Sequence, residues 1–470
     1  MVVVGGASRT AVPQRRGKAG SIYQYISVAS YFVLLFLCFL MICTVLELDD
    51  APDDHGDLHA LTVSTVPHSR TGLAVTVPPT TVAYAVTITE CGSDDDAAWR
   101  LAEGAAVLAY SIHQAHHAAS SSPLTQPERL HEQQRYNYTL YAIYHPQAEP
   151  CVSKLKDLNY TLLRRDTPVA VHEIRGDFLR EKITANGCCG EKELLKLEAY
   201  TLTSHEIVVL LDLDVLLLQP LDRLFDFLTY GTPLPRDDLQ WPDRPLATTA
   251  YRDIGLLYTV DYAMVNPGRA VKPFQGGVLV LRPDRNVYEE LRNIVREGDY
   301  RDQGGWGGRS RKFWGKYDHS GIVTVLLRYF ALRNETRALE LNRCVYDNMC
   351  SKSRNGDAVN DRPTGQCYTQ EESCEDCRDR SVATIVATHF TVCQKPWTCT
   401  VHGRAGIDHR LCRALHHEWF RVRSDLEQSW GRSGWGTGVW REREQFFGFC
   451  NTYGTKGYET ITRPYGSARE

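Results

Sequence analysis

The chain has 470 residues, a formal net charge of −4 and a pI of about 6.5, a balance that excludes bulk electrostatic attraction to nucleic acid. Its length suits two or three average domains, or one large α/β domain with extensions. Fifteen cysteines are many for a reduced compartment, and the odd number leaves at least one free, metal-bound or shared with another chain.

Arg9, Arg15, Arg16 and Lys18 stand before Ile26 to Leu46, a run without a charge, and Glu47, Asp49 and Asp50 come directly after it. Such a run spans about 30 Å as a helix, the thickness of a bilayer core. Basic residues before it and acidic ones after it predict a type II signal anchor over residues 21–47, with a cytosolic tail over 1–20; a cleaved signal peptide is the alternative. Residues 48–81 are rich in Asp, Pro, Thr, Ser and Val and read as a stem. A lumenal placement of the residues beyond the stem suits the sequons at Asn137, Asn159 and Asn334.

From Val82 onward the pattern alternates between strand and helix. Val82 to Thr89 reads as a first strand, Asp96 to about Ala119 as a helix, and Tyr138 to Tyr144 as a second strand. Val169 to His172, after Pro168, is expected as a third, and Glu193 to Leu202 as a helix. This order is the signature of a Rossmann-like, mostly parallel mixed sheet, here placed over residues 82–400. No G-x-G-x-x-G follows the first strand, and Gly304 to Gly308 lack the Lys-Ser/Thr of a phosphate-cradling loop.

Ile207 to Leu218 (IVVLLDLDVLLL) reads as a central strand buried on both faces. Side chains alternate along a strand, so Asp212 and Asp214 are expected on one side, about 7 Å apart. Two carboxylates this close repel unless a cation joins them or one keeps its proton. In an open α/β sheet the ligand crevice lies beyond the carboxyl ends of the strands, which offers such a pair to a hard divalent ion. The alternatives are an ordinary turn or cap and a haloacid dehalogenase-type phosphatase, in which the two aspartates supply nucleophile and acid.

Phe274 to Arg282 (FQGGVLVLR) is another strand, and the glycines that open it let a bulky ligand approach the backbone. Trp314 to Gly321 leads into an apolar segment through Phe330, and Ala383 to Ala387 is strand-like before His389 to Trp397 (HFTVCQKPW). In the last stretch a rigid turn carries a cation and an aromatic ring, which suits a diphosphate. Cys374, Cys377, Cys393 and Cys399 offer either a zinc knuckle or disulfides, the latter favoured by an oxidising lumen. Residues 401–470 form an extension without assigned chemistry, in which Arg413 to Arg423 reads as a partly exposed helix.

Five segments in order resemble the glycogenin-like glycosyltransferases of family 8, especially the branch with plant transferases that attach glucuronic acid to xylan. They are VTIT, CCGEKELLKLEAY, LDLDVLLLQPLD, FQGGVLVLRP and HFTVCQKPW, spread over Val82 to Cys399. The resemblance implies a single GT-A-type domain and a retaining transfer from a UDP-sugar to a glycan or glycoprotein in the Golgi lumen, by front-face attack. It implies Mn²⁺ held by Asp212, Asp214 and His389, with Lys395 on the diphosphate and Lys196 in the donor pocket. Ile88, Glu90 and Cys91 fall where the family lines nucleobase and ribose, Leu213 where it offers backbone, and Gln275, Gly276 and Gly277 beside the donor sugar. The family has Asn-Ser-Gly at Gln275 to Gly277 and a glycine at Val392, and its Asp-Gln-Gly corresponds loosely to Asp318 to Gly321. Asp318 and Gln275 join Asp212 and Asp214 as catalytic candidates. No nucleic acid is expected as a partner, and self-association is left open. A glycan-binding protein with a spent site is the reading from outside enzymology.

Overall fold

The computed structural model describes residues 80–91, 97–121, 135–185, 189–243, 250–260, 274–300, 321–333, 337–356, 362–399 and 410–431, with 262, 305, 306, 358, 359, 450, 458 and 460 as isolated positions. The expected anchor, the stem up to residue 79, Asn334 and Asp318 lie outside these, and the last two stem positions, Thr80 and Thr81, belong to the first strand. Among the described residues no helix is long and apolar enough to cross a membrane.

The chain-order elements that build the site begin with β1 (Thr80–Ile88), α1 (Ala97–Ser121), β2 (Tyr136–Tyr144), α2 (Glu149–Lys156) and β3 (Tyr160–Arg164). After them come β4 (Ile207–Leu211), β5 (Val215–Leu217), α3 (Asp222–Tyr230), β6 (Leu256–Tyr258), β7 (Val278–Leu281) and α4 (Arg285–Glu297). The last are α5 (Ile322–Arg333), β8 (Ala338–Glu340), α6 (Arg343–Tyr346), β9 (Ala387–His389) and α7 (Arg410–Ser429). Among the described residues seven strands form one sheet in the order β3-β2-β1-β4-β7-β6-β8. Only β7 runs against its neighbours, so the sheet is mixed and mostly parallel, as its sequence pattern implies.

Strand alternation sorts the two faces of this sheet into separate cores. Val82, Tyr84, Val86, Val209 and Leu211 face the layer that holds Ala105, Leu108 and Ile112 of α1. Their chain neighbours Ala83, Ala85, Val208 and Leu210 face Leu194 and Leu197, together with Leu291 of α4 and Leu326 of α5. A third cluster joins Val107 and Leu216 to Phe390, Trp397 and the α7 residues Leu415, Trp419 and Phe420. Arg413 to Arg423, read as a partly exposed helix, lies within the longer α7, which leaves Arg421 exposed and buries Trp419, Phe420 and Arg423.

The third strand is Tyr160–Arg164, and residues 171–173 form a 3-10 turn instead. Glu173 reaches back to the Ala170 N–H at 2.8 Å, and that local cap outcompetes the apolar content of the segment. The helix expected at Glu193 to Leu202 is a 3-10 helix over Gly190–Thr201. In place of a strand, residues 382–384 form a 3-10 turn before β9 begins at Ala387. The largest departure concerns the central run. It does not continue as one strand: the Val215 N–H donates to the Asp212 carbonyl at 3.1 Å, closing a turn that carries Asp212, Leu213 and Asp214. Beyond the turn β5 leaves the large sheet and pairs antiparallel with β9.

Candidate active site

Sheet polarity alone brings most of the named residues to one edge. The chain winds from β1 outward through β2 and β3, then returns to place β4 on the other side of β1, which opens a crevice at their carboxyl ends. Ile88, Glu90 and Cys91 leave the end of β1 there, and the acidic turn leaves the end of β4. Because β7 is antiparallel, its beginning lies at that same edge, with Leu211 opposite Val278. The Asp212 N–H donates to the Gly277 carbonyl at 3.0 Å, so Gln275, Gly276 and Gly277 line up beside the acidic turn.

His389 arrives by the second pairing. Its partner in register is Val215, the residue after Asp214. Its Nε2 consequently lies 3.4 Å from Asp214 Oδ1 and 4.0 Å from Asp212 Oδ2. One ligand atom from each of Asp212, Asp214 and His389 falls within 4.8 Å of the others. Thr391 Oγ1 stands 2.9 Å from the same nitrogen.

Behind the ring, His389 Nδ1 is 3.3 Å from Oδ1 of Asp347, a wholly buried carboxylate whose Oδ2 accepts from Thr259 Oγ1 at 2.8 Å. Such a backing carboxylate fixes the face a histidine presents to an ion. Sequence reasoning missed Asp347, because nothing local marks an aspartate after the short helix α6. Only the long-range bonds of its neighbour Asn348 to β9, from the Asn348 N–H to the Ala387 carbonyl and from the His389 N–H to the Asn348 carbonyl, reveal it. Gly277 supplies the space: a Cβ there would come within 2.4 Å of the His389 ring.

Two lysines neutralise the acidic pair. Lys196 Nζ lies 2.8 Å from Asp212 Oδ1 and donates to the Gly276 carbonyl at 2.9 Å, while Lys395 Nζ pairs with Asp214 Oδ2. In a 3-10 helix residues three apart share a face, which puts Glu193 beside Lys196. Glu193, also missed from sequence, has its pKa raised by burial, and it accepts from the first backbone N–H groups of α5. Gly321 adjoins that carboxylate so tightly that a Cβ would overlap it.

The charges respond accordingly. Burial works against a charged His389, but Asp214 and then Asp347 overcome it and raise the ring to about 10. Burial likewise opposes the Asp214 carboxylate, yet His389 and Lys395 hold its pKa well below the usual carboxylate range. Lys196 is raised against its own desolvation by Asp212 and Glu193.

The remaining candidates have structural partners of their own. Ile88 is buried in the core, and its carbonyl accepts from the His145 N–H at 2.9 Å. Glu90 pairs with Lys192 at 2.6 Å, and Cys91 is bridged to Cys151. Leu213 packs at the crest of the acidic turn, its carbonyl against Gly104 of α1, where a Cβ would approach to 2.8 Å. The Gln275 amide is engaged at both atoms: Oε1 accepts from the Gly277 N–H at 3.0 Å and Nε2 donates to Met349 Sδ at 3.3 Å. The zinc-knuckle alternative does not survive, because Cys374, Cys377, Cys393 and Cys399 go to four separate bridges with Cys367, Cys344, Cys412 and Cys450. Cys350, buried beside the Cys393–Cys412 bridge, is the free thiol among the described residues.

The donor set suits a hard divalent ion: two carboxylates and an imidazole aimed at one point, with ammonium groups now standing where positive charge is wanted. No protein-family model matches this chain, and no curated protein matches it in sequence. Among solved structures it is similar to apo mouse xyloside xylosyltransferase 1, at 11% identity over 57% of this chain and 87% of that one, with a TM-score of 0.32. It is similar to the galactosyltransferase LgtC with donor and acceptor sugar analogues, at 14% identity over 74% and 96% of the two chains, TM-score 0.33. The glycosyltransferase GlyE of Streptococcus pneumoniae TIGR4 shares 12% identity over 75% of this chain and 64% of that one, TM-score 0.35.

Proposed function

We propose that this chain is a Mn²⁺-dependent, retaining glycosyltransferase that moves a sugar from a UDP-sugar to a glycan or glycoprotein acceptor. The observation that carries the reading is the convergence of Asp212, Asp214 and His389 from two distant segments, flanked by Lys196 and Lys395. A divalent ion bound by these three residues supplies a Lewis acid for the departing diphosphate.

The chain's own residues do the rest. Lys395 exchanges Asp214 for diphosphate oxygens and adds positive charge where negative charge builds. Lys196 holds the Gly276 carbonyl, keeping the glycine turn open for the sugar to lie against backbone. Asp347 keeps the His389 ring turned toward the carboxylates. With the Gln275 amide engaged by the Gly277 N–H and by Met349 Sδ, front-face attack by the acceptor hydroxyl, with no protein nucleophile, accounts for retention. The phosphatase alternative has no use for an imidazole set between the two aspartates.

A Golgi lumenal setting behind a type II anchor fits the disulfides, which an oxidising compartment maintains. Asn137 and Asn159 of the sequons are exposed, as lumenal acceptors of glycan must be.

Asp214→Asn should lower Mn²⁺-dependent turnover and hydrolysis of UDP-sugars by at least 10² to 10³, on the order of what one such electrostatic contact contributes. Full activity in that variant ends the proposal, and turnover of an aryl phosphate in place of UDP-sugars returns the phosphatase reading.

A further inference from the structure

The imidazole of His416, on α7, takes no part in the proposed chemistry, yet it is buried beneath the turn that carries Lys395. It is 3% exposed, and its Nε2 lies 2.8 Å from the Cys393 carbonyl oxygen and 3.1 Å from that of Gln394. Carbonyls only accept, so Nε2 bears the hydrogen and donates to both. Burial takes the ring down to about 4 against the pull of the two carbonyls, leaving it neutral and fixed in that tautomer. Phe390 crosses the ring at 67° and 5.4 Å between centroids, which sets its plane.

Those carbonyls belong to the residues just before Lys395. Gln394 has φ +63°, the left-handed region, which a residue with a side chain keeps only where its surroundings hold it. Cys393 is bridged to Cys412, one turn ahead of His416 on the same helix. At the far end of the turn Cys399, with φ +51°, is bridged to Cys450. The segment is therefore bonded covalently at both ends, and the His416 N–H holds the Cys393 and Gln394 carbonyls at the start of it. Released from that donor, Gln394 is free to relax to an ordinary φ, and Lys395 swings away from Asp214.

We infer that His416 is a positioning residue for Lys395: by donating to the carbonyls of Cys393 and Gln394, it holds the left-handed turn that aims the ammonium group into the diphosphate site. This rests on the transferase reading, and its test separates the two.

His416→Gln and His416→Met fill similar volume, with and without a donor. In the first arm, Lys395 of the metal-free protein is acetylated with an N-hydroxysuccinimide ester and the modified peptide followed by mass spectrometry. The glutamine variant should react at close to the wild-type rate and the methionine variant at least threefold faster. Equal rates in all three overturn the inference, whether or not the chain moves sugar. In the second arm, Mn²⁺-dependent UDP-sugar turnover should fall about tenfold in kcat in the methionine variant with the acceptor KM unchanged. In a Lys395→Ala background that substitution should cost nothing more, and independent, multiplying losses overturn the inference. If the wild-type protein consumes no UDP-sugar, the transferase reading fails and the acetylation rates still decide. His416→Leu replaces the methionine variant should the latter not fold.

Discussion

His389 holds a proton at neutral pH in the metal-free protein, because Asp214 and Asp347 raise it from 6.5 to about 10. An ion must displace that proton, so binding should release about one proton per ion and strengthen about tenfold per pH unit up to that value. Titration calorimetry in buffers of different ionisation enthalpy reads both quantities. The same shift has a consequence for the metal-free fold. A group raised on folding stabilises fully below its unfolded value and loses that contribution as pH climbs from about 6.5 through 10, so metal-free unfolding should become easier across that window. Asp347→Asn removes the charge behind the ring, and Mn²⁺ affinity should fall about 10- to 100-fold, measured by thermal shift against ion concentration. The aspartate pair and the histidine were legible because chemistry demands those residue types together. Asp347, Glu193 and His416 were not, since each acts on a neighbour distant in sequence and carries no local pattern.

The elements were readable wherever burial alone decides them. β1, β2 and α1 follow apolar periodicity, and their observed limits lie close to those the pattern implies, whereas the strand expected from Phe274 begins only at Val278, after the glycines. Periodicity could not show that the central run breaks at Asp212, because apolar residues resume at Val215 and look continuous. The break is closed by one backbone hydrogen bond, and the strand beyond it is claimed by β9. α1 supports that break from below. A Cβ at Gly104 would come within 2.8 Å of the Leu213 carbonyl oxygen and 3.3 Å of the Trp397 ring, so the absence of a side chain there seats both the acidic turn and the lysine turn. Gly104→Val should push both outward, lowering ion affinity at least tenfold and the melting temperature with it. Differential scanning fluorimetry with and without Mn²⁺ separates the two effects.

Across the whole molecule, the described part of the extension beyond residue 400 packs into the same body as the large sheet. α7 packs on α1 through the third core, where Arg423 is wholly buried with Glu427 at 3.1 Å and Glu103 at 3.8 Å, and its ring contact with Tyr458 spans 4.7 Å. Two bridges, Cys393–Cys412 and Cys399–Cys450, join that layer to the lysine turn. The second closes 51 residues, and a loop of that size restricts the unfolded chain by about 4 kcal/mol. Cys450→Ser should lose stability of that order in urea unfolding, and dithiothreitol, which reduces the other bridges as well, should cost the wild-type protein more.

The order of these parts along the chain also has a meaning in time. Translation delivers the aspartates of the acidic turn long before His389, and His389 well before the cysteine that pins the last turn. A nascent polypeptide still tethered to its ribosome therefore owns the carboxylates without the imidazole. Any product cut short ahead of residue 389 inherits the same defect, so the cluster of two carboxylates and an imidazole is complete only once His389 has been added.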